Sequence, residues 1–178
     1  MGFVTRTGKT KTRTFRIDEA IDQALIEEAD EKEVSVNNLT ESIFEKYINF
    51  NRWFQRIDSL AITPDVLAAF LDHMTVEEIT EIGAKLGTTS PKNALMLRGL
   101  PLDVESANLY VEKILGEHNQ WFNASYLHQK QPYLYIRTSF GEKWVTFIQA
   151  YLCSFYRECI GKEVECKKIG NNLQIIPE

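Results

Sequence analysis

The sequence predicts an α+β protein, and three observations carry that prediction. Apolar residues recur at three- and four-residue steps in several segments, which is helical spacing, while short runs elsewhere alternate with a period of two, which is strand spacing. Helix-start signals stand at Asp18, Ser35, Thr63-Pro64 and Thr75. The third observation is a change of character beyond Pro91, where helix-only patterns give way to mixed ones.

Residues 11–17, KTRTFRI, alternate and hold two β-branched threonines, so they read as a short strand that Asp18 stops. Asp18 is also a good N-cap, with Glu19 and Asp22 favoured by the dipole in the first turn of a helix reaching about Lys32. Ile21, Leu25 and Ala29 give that helix an apolar face. Ser35 caps a second helix, whose stripe is Leu39, Ile43, Phe44, Tyr47 and Ile48. Residues 49–58 read as a connection. A short helix is expected after Thr63-Pro64, and a second after the capping box Thr75 to Glu78, ending near Leu86 because Gly87 suits a left-handed C-terminus.

Further on, the pattern reads as a strand at 94–100, which equally extends a helix, then a helix at 103–117. Strands at 121–128 and 133–140 follow around a turn at 129–132, then a long helix at 142–160 and a hairpin at 163–176 around Gly170-Asn171-Asn172. That βαββαβ order is the order of a ferredoxin-like, split βαβ domain. The organisation expected is therefore 1–50, a helical connection 51–90, and an α/β domain 91–178 for sensing or oligomerisation.

Hydrophobic residues at 44% and charged residues at 25% are ordinary for a folded, water-exposed protein. No stretch has the roughly 18 uninterrupted apolar residues of a membrane span, and the N-terminus lacks a secretory apolar segment, so no membrane partner and a cytoplasmic location are expected. Cys153, Cys159 and Cys166 are odd in number and are expected to stay reduced. The net charge of −5 hides an asymmetry, since residues 1–17 carry five basic side chains, Arg6, Lys9, Lys11, Arg13 and Arg16, and no acid.

The run from Arg13 to Ile48 resembles the ribbon-helix-helix repressors typified by Arc and MetJ. Arg16-Ile17 matches their arginine-apolar pair and Ser35-Val36-Asn37 their second-helix opening. The resemblance covers residues 11–48. It implies a homodimer or higher oligomer whose paired strands enter the major groove of double-stranded DNA, making the protein a sequence-specific transcription regulator, a repressor in the typical case. A lone strand with two open edges on so short a segment gives the same reason to dimerise.

Strand phase then turns Phe15 and Ile17 toward the helices and points Thr12, Thr14 and Arg16 outward for base readout. Ser35, Val36 and Asn37, at a helix N-terminus, would grip phosphate, joined by Lys9, Lys11 and Arg13. Three residues depart from the family. Glu33 stands where glycine is usual, Arg13 takes an inward phase normally apolar, and Asp18 replaces a common proline.

In the C-terminal region Trp144, Phe147, Ile148, Tyr151, Leu152, Phe155 and Tyr156 form an apolar helix face. That face reads as packed core, or with Trp121, Tyr126, Tyr133 and Tyr135 as part of a small-molecule effector pocket or a second dimer interface. His73, His118, His128 and the cysteines lack metal-site spacing, so no metal and no cofactor are expected. No catalytic motif is present and no enzyme is expected. The alternative to a DNA-binding regulator is a protein-interaction module such as an antitoxin-like partner binder, although the long aromatic C-terminal part is unlike a short disordered antitoxin tail.

Overall fold

Asp18 opens the first helix as expected, its Oδ1 accepting from the Ala20 N–H at 2.9 Å, and α1 runs Glu19–Glu31. A computed structural model of the chain describes residues 3–4, 7–56, 61–127 and 133–177. Contacts divide it into two units, Gly2–Ser59 and Leu60–Glu178.

In the first unit α1 closes on a Schellman motif: the Val34 N–H reaches the Ala29 carbonyl and the Glu33 N–H that of Asp30, both at 3.0 Å. Glu33 adopts the left-handed φ of 55° this motif demands. It thus holds, at some cost in strain, the conformation that glycine takes freely. Ser35 Oγ accepts from the Asn38 N–H at 3.2 Å and starts α2, Val36–Lys46, which continues through a wider π-helical stretch, Tyr47–Asn51, into α3, Arg52–Phe54. The widening carries Asn49 into a buried position, where its amide pairs with both backbone groups of Val4 at 2.8 and 2.9 Å, as a neighbouring strand would.

Residues 11–17, by contrast, form no strand and are exposed throughout. The expected strand and ribbon are therefore corrected: among the described residues the 11–17 backbone pairs with no strand. Phe15 does turn to the helices, meeting Phe44 edge-on at 5.8 Å.

In the second unit α4 spans Pro64–Asp72 behind Thr63, and α5 spans Val76–Leu97 behind the reciprocal capping box of Thr75 and Glu78. Neither Gly87 nor Pro91 ends α5, and the helix crosses residues 90 and 91 where a domain boundary was expected. Ile79, Gly83, Gly87, Pro91 and Leu95 recur every four residues along one buried stripe. The gain comes from the partner helix: a Cβ on Gly87 would stand 2.2 Å from the Tyr151 carbonyl oxygen, so only glycine lets the two backbones meet. Residues 94–97, expected as strand, are the last turn of this helix.

Asp103 caps α6, Val104–Leu109, which widens into a π-helical segment, Tyr110–His118. β1 (Asn123–Leu127) and β2 (Tyr133–Arg137) follow, then α7 (Glu142–Ser154) with a π-helical end, Phe155–Ile160, and finally β3 (Val164–Ile169) and β4 (Asn172–Pro177). His128 and the turn expected at 129–132 lie outside the described residues. The sheet order is β1-β2-β4-β3 and every pair is antiparallel. The expected βαββαβ ferredoxin-like domain is thus corrected: without a strand at 94–100 the unit is three helical elements, a hairpin, a helix and a second hairpin.

Leu134 and Ile136 of β2 pair with Ile175 and Leu173 of β4, and all four are buried. Above them lies the aromatic face of α7, so the core reading of Trp144, Phe147, Tyr151 and Phe155 holds. Cys153 of α7 and Cys166 of β3 are joined in a disulfide, their Cα atoms 6.7 Å apart, which corrects the expectation that all three cysteines stay reduced. Only Cys159 is free, and burial pushes its thiol up.

Candidate functional site

A cleft of 630 Å³ opens in the unit Leu60–Glu178, between the π-helical segment after α6, the start of β1, the end of β2 and the first residue of α4. Each wall is fixed by its own local chemistry. The π-helical wall supplies Glu112, Gly116 and Glu117, and the chain leaves it through Gln120 at a left-handed φ of 56°. Trp121 then places its carbonyl where the Trp144 indole N–H donates to it at 2.9 Å and the Thr138 hydroxyl at 3.3 Å.

Those bonds tie both strand ends to α7. Asn123 and Arg137 face each other across the β1–β2 ladder, so strand alternation puts both on the same face of the sheet. The Phe140 N–H donates to the Thr138 hydroxyl at 3.2 Å, which turns the chain at Ser139 and brings Phe140 to the rim. Pro64 adds the wall from α4. That helix is held at its other end by Lys143, whose ammonium donates to the carbonyls of Leu71, Asp72 and Met74 at 2.9, 3.1 and 2.9 Å.

Buried Phe122 and the half-buried Phe140, with Pro64 and Ala124, are the apolar part of the lining, and Gln120, Asn123 and Ser139 offer hydrogen-bonding groups to solvent. Glu117 is engaged by Lys113 at 2.8 Å. Concavity, a small apolar element and a few convergent polar groups are what a small-molecule site requires.

The residues expected to read DNA lie elsewhere. Lys9, Lys11, Thr12, Arg13, Thr14 and Arg16 are exposed in the element-free stretch before α1. Ser35, Val36 and Asn37 do come together, at the N-terminus of α2, where Ser35 is occupied as the cap. The structure does not gather the nine into one surface fixed by hydrogen bonds. Trp121, Tyr133 and Tyr135, expected as pocket lining, are not in the cleft; Trp121 packs on Trp144 at 5.4 Å and Tyr151 at 5.6 Å. Arg137 was missed by sequence reasoning although β2 signals it: the alternation that buries Leu134 and Ile136 turns Arg137 away from the core. Among the described residues no group of three His, Cys, Asp or Glu side chains is placed to hold a metal ion.

No family profile and no curated protein matches the chain. A solved structure described as an H-NOX protein from S. oneidensis in the Fe(II)NO ligation state overlaps 89% of this chain and 96% of its own at 12% identity, with a TM-score of 0.42. That likeness is too distant to carry function to this chain. The reading of the protein as a DNA-binding repressor that inserts a two-stranded ribbon is corrected, since residues 11–17 form no strand. Among the described residues no helix is long and apolar enough to cross a membrane.

Proposed function

We propose that the unit Leu60–Glu178 is a small-molecule-binding module of sensor type, with the cleft as its effector site. The observation that carries this is a cleft of 630 Å³ whose walls are anchored to the aromatic core through Trp121, Thr138 and Lys143. A site with that support is largely formed before its ligand arrives, which lowers the ordering cost of binding. The reading is one of binding, without catalysis.

Amide chemical shifts of the full chain recorded against a library of polar fragments test it. Hits are expected to move the Gly116, Asn123, Ala124, Ser139 and Phe140 resonances together, and Ser139→Trp, which fills the rim from an exposed position, should abolish those shifts. Fragments that bind only elsewhere, or hits indifferent to Ser139→Trp, would remove the effector reading.

A second reading concerns the unit Gly2–Ser59, which we propose as a homodimerising element. Phe15, Ile17, Ile21, Val34, Phe44 and Tyr47 are between 41% and 61% exposed there, a large apolar surface for so small a unit. Sedimentation equilibrium of the full chain should give a dimer at micromolar concentration, and Phe44→Glu should shift it to monomer. A wild-type chain that sediments as a monomer refutes this.

A further inference from the structure

The cleft holds two opposite charges that the protein leaves open. Glu112, half-buried on the π-helical wall, and Arg137, at the end of β2, both line it. Neither has an ion-pair or hydrogen-bond partner among the described residues, and they do not lie within ion-pair distance of each other. The third charged lining residue, Glu117, is engaged by Lys113, and the Thr138 hydroxyl is consumed by the Trp121 carbonyl and the Phe140 N–H.

This pattern discriminates among ligand classes. A simple anion drawn to Arg137 would meet the half-buried Glu112 carboxylate, and a simple cation drawn to Glu112 would meet Arg137. A neutral apolar ligand filling the cleft would strip water from both charges and return nothing, a cost that grows as the site closes. A molecule that brings both signs satisfies both walls at once. The guanidinium is suited to carboxylate by its planar fork of donors, and a carboxylate accepts readily from an ammonium. The cleft is large enough for a body of amino-acid or dipeptide size, and Phe122 and Phe140 supply its apolar contact.

We propose that the cleft recognises a small zwitterion of amino-acid type, its carboxylate on Arg137, its ammonium on Glu112 and its side chain against Phe122 and Phe140. This rests on the cleft being an effector site.

The experiment titrates the full chain with the free L-amino acids, each compared with its N-acetyl derivative, which lacks the cation, and its carboxamide, which lacks the anion. At least one free amino acid should bind tenfold or more tightly than both of its derivatives. Arg137→Ala should erase the advantage over the carboxamide, and Glu112→Gln the advantage over the N-acetyl form. Arg137→Lys should restore part of what Arg137→Ala loses. Unfolding midpoints of the variants show that the fold is intact, since both side chains reach solvent. If cleft-binding fragments are found but no free amino acid outperforms its derivatives, or if neither variant moves the ratios, the zwitterion assignment is wrong and the effector site stands. If nothing binds the cleft, both fall.

Discussion

Gly87→Ala is expected to weaken the unit Leu60–Glu178 by about 3 kcal/mol or more, the high end of what overpacking costs. The added Cβ would stand 2.2 Å from the Tyr151 carbonyl oxygen, 2.9 Å from its carbonyl carbon and 3.0 Å from its Cα. All three are backbone atoms, so no rotamer change relieves the clash and α5 must move off α7. The roughly 1 kcal/mol that alanine gains over glycine inside a helix is too small to compensate. Urea unfolding followed by tryptophan fluorescence reads the loss, because Trp121 and Trp144 sit in this unit. Gly116→Ala is the control, since its Cβ would meet its nearest neighbours at 3.4 to 3.5 Å, an ordinary contact. An unchanged midpoint for Gly87→Ala would mean that the two helices do not touch at this point.

Phe155→Ala should cost about 3–5 kcal/mol, the usual range for emptying a buried aromatic site. Phe155 is fully buried and packs edge-on against Tyr110 at 5.6 Å. Tyr110 in turn shares a buried hydroxyl–hydroxyl hydrogen bond with Tyr151 at 3.0 Å. Burial pushes the Tyr110 phenol up to about 12 and that of Tyr151 higher still. A raised phenol favours the folded state while both states are protonated. The stabilisation is therefore complete below pH 10 and is lost as pH rises through the folded-state value. Phe155→Ala removes stability at every pH while the phenols still favour the protonated folded state, so the variant should also begin its alkaline unfolding at lower pH, which far-UV circular dichroism with tyrosinate absorbance records. A wild-type onset retained by a variant that has lost stability would mean that the cavity admits water and relaxes the two phenols toward their ordinary value.

What the sequence made legible was local. Asp18, Ser35 and Thr75 announce their helices because a cap is decided within four residues, and each caps as its type suggests. The alternation of β2 is equally local, and the turn at Gly170, with φ of 57°, follows from glycine's freedom there. What failed depended on partners distant in sequence. Gly87 reads as a terminator unless Tyr151, 64 residues on, is known to lie against it. Residues 94–97 read as a strand only because they are a short apolar run, and the helix already running through Pro91 claims them. Cysteine parity says nothing about which two sulfurs a helix and a strand bring together, and here Cys153 and Cys166 meet while Cys159 is left over. For the cleft, Arg137 could be given its face from strand phase, but Glu112 belongs to another element and only the folded unit brings both to one cleft.

The grip of Lys143 on the end of α4 has a bearing on binding that does not require Lys143 to touch any ligand. Pro64, the first residue of α4, forms part of the cleft wall, while three carbonyls at and beyond the other end of that helix converge on one ammonium. If a ligand in the cleft packs against Pro64, its binding and the closure of that ammonium on its carbonyls are linked equilibria, and linkage is reciprocal. A ligand that raises the protection of the α4 amides from exchange is expected to bind more weakly when Lys143 is neutralised, by at most the factor it adds. One lysine at the start of α7 thereby sets how rigid a wall the ligand meets.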